Sequence, residues 1–153
     1  MCYADLDTFK AYNDRYGFLR GDRAIVYTAE VLRDATEDRD GAFVGHIGGD
    51  DFVLVVAAEE ADAVCKETIQ LFDRGAPGLY DPEDAAAGFI ELEDRRGERV
   101  RYPILTISIG VGTNEADGFS DYRQLVDSAT EMKAVAKRSG GSLHAVDRRS
   151  HQG

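Results

Sequence analysis

The chain contains no tryptophan, and only three prolines, three histidines and two cysteines among its 153 residues. Cys2 and Cys65 stand far apart, so they build neither a disulfide framework nor a thiolate metal site. They are expected to be buried thiols in a reducing compartment. His46 has no His or Cys partner at ligand spacing and is expected to be structural. Positive charge is also scarce: 18 Lys and Arg face 29 Asp and Glu, for a net charge of -11. A nucleic-acid groove or an anionic membrane surface calls for a basic footprint, so neither partner is expected. No apolar run approaches the roughly 20 residues of a membrane span, and no signal peptide is visible. A cytoplasmic protein is therefore expected. Repeats, low-complexity tracts and linkers are absent too, which leaves one domain over residues 1–148 and a polar tail at 149–153. The hydrophobic fraction of 43% is enough for that domain to bury a core.

The chain is organised around His46-Ile47-Gly48-Gly49-Asp50-Asp51-Phe52. Apolar runs lead into and out of it, and a Gly-Gly-acid-acid turn between two β-prone runs reads as a β-hairpin. Asp50 and Asp51 then sit side by side at its tip. Read from the residues alone, the turn is either a seat for a hard divalent cation or an ordinary acidic turn. Residues 1–7 are expected to form a first strand. A strand that starts at the first residue suggests a fragment, with preceding elements cut away or never present. Thr8 opens a helix that Gly17 closes, with Phe9, Tyr12 and Tyr16 on its packing face. Phe18-Leu19-Arg20-Gly21 reads as a turn, and Asp22 as the N-cap of a second helix running to about Ala35. A third helix is expected from Glu59 to Phe72, and a peripheral hairpin around Asp94-Arg95-Arg96-Gly97. The run from Ile104 to Val111 reads as a central strand, Tyr122 to Arg138 as the last long helix, and Leu143 to Val146 as the closing strand. This order describes an α+β fold, one mixed sheet with helices packed against it.

Asp5-Leu6-Asp7-Thr8-Phe9-Lys10, then Asn13-Asp14, Gly17, Gly21-Asp22, the Gly-Gly-Asp-Asp-Phe hairpin and Thr106-Ile107-Ser108-Ile109-Gly110 together resemble the GGDEF family of diguanylate cyclases. The resemblance implies a palm-like nucleotidyl cyclase fold with a central, mainly antiparallel sheet. It also implies condensation of two GTP to cyclic di-GMP across a pair of domains, each supplying a half-site. By the same resemblance Asp5, Asp50 and the Leu6 carbonyl would hold Mg²⁺, or Mn²⁺ in its place. Asp51 would serve as base or metal ligand. Lys10 would neutralise charge on the phosphates, and the Thr8 and Phe9 amides would cradle them. Asn13 and Asp22 would read the guanine edge, and Lys137 would reach the phosphates. Asp7 is expected to be structural. The implied partners are GTP, a second GGDEF domain and an upstream sensor domain.

Four positions depart from the family pattern. Asp51 is one methylene shorter than the usual Glu, Phe18 replaces a His, and Gly141 stands where an Arg is expected. Lys133 or Arg138 is a candidate to replace that Arg. Arg39 is followed at the third position by Ala42 rather than Asp, so no high-affinity product site is expected there. These departures keep a second reading open, a degenerate domain that binds GTP and regulates a partner domain.

Overall fold

The computed structural model describes residues 1–113 and 121–147, so the expected C-terminal tail lies outside the described residues. Strand β1 (Cys2–Asp7) runs through the middle of a five-stranded sheet. On one side it pairs antiparallel with β3 (Asp51–Val55), which pairs in turn with the outer strand β2 (Phe43–Gly48). Two short peripheral strands, β4 (Phe89–Glu93) and β5 (Arg99–Pro103), form a hairpin of their own. On its other side β1 pairs antiparallel with β6 (Thr106–Val111), and β6 pairs parallel with the edge strand β7 (Leu143–Val146). The register places Asp5 between Asp51 on one neighbour and Ser108 on the other. Met1 extends the pairing: its ammonium donates to the Gly112 carbonyl, and the Gly112 amide donates back to Met1, both at 2.9 Å.

Alternation along the strands divides the sheet into an apolar face and a polar one. Cys2, Ala4 and Leu6 share a buried cluster with Phe52, Leu54, Ile107 and Ile109. Helices α1 (Phe9–Tyr16), α2 (Phe18–Asp34) and α3 (Ala61–Gly75) add Tyr12, Leu32, Val64 and Phe72 to the same cluster. Each of these larger side chains is worth about 1.5–3 kcal/mol when withdrawn from water. Asp5, Asp7, Asp51, Ser108 and Gly110 fall on the opposite face, which α5 (Tyr122–Arg138) covers. Cys2 and Cys65 are buried free thiols, as expected. No described helix is long and apolar enough to cross a membrane.

Helix α3 starts two residues later than expected, at Ala61, and α2 starts four residues earlier. α2 begins at Phe18, so Asp22 lies inside the helix and caps nothing. Gly17, at φ +81°, reverses the chain within one residue, and no turn of Phe18 to Gly21 is needed. Gly21 does not break the helix because Asn13 fills the space beside its Cα. A short helix, α4 (Pro82–Ala87), forms between α3 and the peripheral hairpin. Its signals are ordinary ones, Pro82 in the first helical turn and Gly88 as a left-handed cap.

Candidate active site

The β2–β3 turn is built from its own residues. Gly49 takes φ +56°, a conformation that a side chain would oppose. His46 Nε2 lies 2.8 Å from the Gly49 carbonyl, and its ring centroid is 4.9 Å from that of Phe52. His46 thus supports the turn, as expected. The turn carries Asp50 to the sheet, while the β1–β3 register holds Asp5 directly opposite Asp51. Carboxylate oxygens of Asp5, Asp50 and Asp51 all lie within 4.8 Å of one another. Three hard oxygen donors at that spacing fit a divalent cation such as Mg²⁺. Leu6 follows Asp5 with its side chain in the core, so that stretch of backbone is anchored beside the cluster.

Two ammonium groups from α5 reach this cluster. Lys133 Nζ lies 2.6 Å from Asp51 Oδ1 and 3.5 Å from Asp5 Oδ2, and Lys137 pairs with the other Asp5 oxygen. The electrostatics follow from this packing. Burial raises the Asp5 carboxyl above its ordinary value and the Asp50 charge adds to the effect, against the opposing pull of Lys137. Partial burial pushes Asp51 the same way, but the Lys133 hydrogen bond and charge outweigh it and hold Asp51 below the usual carboxylate range. Lys133 is held above the ordinary lysine value by Asp51 and Asp5, despite partial burial.

Asp7, one step beyond Leu6, accepts from Thr106 Oγ1 at 2.8 Å and from Ser108 Oγ at 2.8 and 3.0 Å. It fastens β1 to β6 and is structural, as expected. Thr8 sits at φ +62°, the only described residue other than glycine with positive φ. A β-branched residue there carries strain of about 1–3 kcal/mol at the start of α1. Lys10 lies on the solvent side of α1, paired with Asp14 at 2.6 Å and with its side chain 88% exposed. Asn13 packs against Gly21 of α2, next to Asp22, and its buried Oδ1 has no hydrogen-bond partner. Asp22 itself is exposed. Phe18, at the start of α2, is 81% exposed. Arg39 is occupied by Glu60 and Glu67, at 3.3 and 3.6 Å.

The family model described as "Diguanylate cyclase, GGDEF domain" matches residues 1–76, the part of the chain that carries β1, α1, α2 and the acidic hairpin. The chain belongs to the GGDEF-domain family. It is 34% identical over 99 residues to the diguanylate cyclase DgcP of Escherichia coli K12, covering 61% of this chain and 28% of DgcP. With the diguanylate cyclase DosC of the same organism it shares 27% identity over 136 residues, covering 89% of this chain and 25% of DosC. The chain thus spans about a quarter of the length of these curated relatives. Among solved structures, the GGDEF domain of YfiN (TpbB) from Pseudomonas aeruginosa superposes with a TM-score of 0.68 at 20% identity. That match covers 97% of this chain and 81% of the other, and it bears on the fold.

Within this GGDEF domain the structure gathers Asp5, Asp50, Asp51 and Lys137 at one point, together with the α5 residue Lys133. Asn13 lies against Gly21 where α1 and α2 meet, and Asp22, the next residue in sequence, is exposed. Lys10 joins neither of these places through any contact described. In the sequence Lys133 stands out only as a stand-in for a missing arginine. Its spacing of four from Lys137 was a further available signal, because residues i and i+4 share a helix face.

Proposed function

We propose that this GGDEF domain is a diguanylate cyclase half-site, which condenses GTP with a second GTP held by a facing domain. The observation that carries the reading is the convergence of Asp5, Asp50 and Asp51 on one point beside the start of α1. In each of two equivalent steps a 3′-oxygen forms a bond to an α-phosphorus. The bond from that phosphorus to the bridging oxygen of pyrophosphate breaks, and the hydroxyl proton leaves. A divalent cation bound by Asp5 and Asp50, with the Leu6 carbonyl, would neutralise the triphosphate and polarise the attacking oxygen.

The remaining work falls to the chain's own groups. Asp51, kept ionised by Lys133, is the acceptor for the hydroxyl proton. The Thr8 and Phe9 amides stand at a helix N-terminus, where backbone N–H groups lack intrahelical partners and favour phosphate oxygens. Lys137 moves from Asp5 to the phosphates when a metal neutralises that carboxylate, and Lys10 leaves Asp14 to join it. Asn13 and Asp22 present acceptors to the N1 and N2 donors of guanine. An unpartnered buried acceptor such as Asn13 Oδ1 carries a penalty of about 1–3 kcal/mol, which a guanine N–H would remove. Adenine has no donors there, so GTP should be preferred over ATP.

A second reading is favoured by one contact. Lys133 grips Asp51 at 2.6 Å, and an acid held in that way is less free to take a proton. A domain of that kind would bind GTP and regulate a partner domain without turnover. The two readings separate when concentrated protein is incubated with GTP and Mg²⁺, and then Mn²⁺, and the products are resolved chromatographically. Cyclic di-GMP that disappears in Asp50→Ala establishes the cyclase. A GTP-dependent rise in melting temperature without product establishes the binding domain.

A further inference from the structure

Lys133 is fixed in place by the backbone beneath it. Gly110 of β6 has no side chain, and a Cβ there would stand 2.1 Å from the Lys133 amide nitrogen and 2.0 Å from the Ala129 carbonyl oxygen. The α5 backbone therefore lies directly on β6, one strand away from Asp5. From that position the Lys133 side chain, only 18% exposed, reaches Asp51 and Asp5 together. Lys137 lies one turn further along, is 40% exposed and touches Asp5 alone. One ammonium is thus built into the cluster, and the other stands at its mouth.

We propose that Lys133 is a resident counter-ion of the Asp5–Asp50–Asp51 cluster, fixing Asp51 and filling the place a second divalent cation would take, so that the nucleotide-free domain holds a single divalent ion between Asp5 and Asp50. The charge balance agrees: with Lys133 and Lys137 both at the cluster, one doubly charged ion brings the three carboxylates and two ammoniums from -1 to +1, whereas a second such ion would take them to +3. Repulsion between a second cation and an ammonium in direct contact with the same carboxylate is large at the low effective dielectric of a half-buried site. Lys133 is in this sense a positioning residue, acting on the metal through Asp51. The inference deepens the cyclase reading and rests on its premise that the cluster takes divalent cations.

The test is Mn²⁺ binding to the whole chain without nucleotide, counted from the loss of the free-ion electron paramagnetic resonance signal and repeated by calorimetry. Wild type should bind one ion per chain, Lys133→Met two, and Lys133→Arg one, with Asp50→Asn losing the ion that wild type holds. Circular dichroism melts establish that each variant is folded. Two ions of comparable affinity on wild type would overturn the inference whatever the variants do. One ion on a folded Lys133→Met would overturn it as well, while leaving the metal site itself standing. No ion on wild type would remove the metal premise together with the inference. A structural lysine with no electrostatic role would change the melting temperature and leave the ion count unaltered.

Discussion

Asn13 lodges its carboxamide in the space that a side chain on Gly21 would occupy, and a methyl group there would stand 1.9 Å from Asn13 Oδ1. The clash is with the end of a side chain, which can rotate away while the helices stay in place. Gly21→Ala should therefore leave the melting temperature within a few degrees of wild type and weaken GTP binding about tenfold or more, a loss of ~1.4 kcal/mol. Titration of a non-hydrolysable GTP analogue into both proteins checks this, and equal affinities would remove Asn13 from guanine recognition. At this scale the sequence was informative wherever a residue type announces its chemistry. Asp50 and Asp51 were legible as adjacent acids at a turn tip, while Asp5 joined them only through the family resemblance, because its place opposite Asp51 depends on the β1–β3 register. The inward direction of Lys133 was not. A lysine on a helix normally faces water, and this one is drawn in by a glycine on a strand it does not follow in sequence.

Between elements, the contact that matters most for the site is α5 on β6. Gly110 permits it, and the atoms a Cβ would strike belong to backbone, which cannot rotate aside. Gly110→Ala should destabilise the domain by about 3 kcal/mol and lift Lys133 from Asp51, as overpacking does in a rigid interior. Chemical denaturation of the two proteins gives the difference, and a change below half a kcal/mol would show that α5 is more loosely seated than its geometry implies. The long elements could be read in advance because their periodicity is local: α5 and β7 fall where the apolar pattern places them. The start of α2 could not, since Gly21-Asp22 carries the punctuation of a helix start. What cancels that signal is tertiary, the Gly17 reversal and the Asn13 contact.

For the molecule as a whole, the sheet offers one acidic cluster among the described residues, and the proposed reaction needs two nucleotides. A single chain should then be a poor catalyst however well it binds GTP. The initial rate per mole of protein should climb with protein concentration, with the order in protein approaching two in dilute solution. A rate strictly proportional to protein over a hundredfold range would argue that one chain holds the whole reaction. The net charge of -11 adds a salt effect: like-charged domains repel, so moderate ionic strength should speed the encounter by screening.

The pairing of Met1 with Gly112 bears on how such a domain can be governed. Met1 leads straight into the strand that ends at the acidic cluster, and Asp5 lies only about 13 Å further along an extended backbone. Any polypeptide joined ahead of Met1 is joined to that strand with no slack between them. A pull or twist applied there would be felt at Asp5 as a tilt of the strand, since a change of register would turn Cys2, Ala4 and Leu6 out of the core. The first strand would then act as a tension member, and a flexible spacer inserted ahead of Met1 would uncouple the carboxylate from whatever pulls on it.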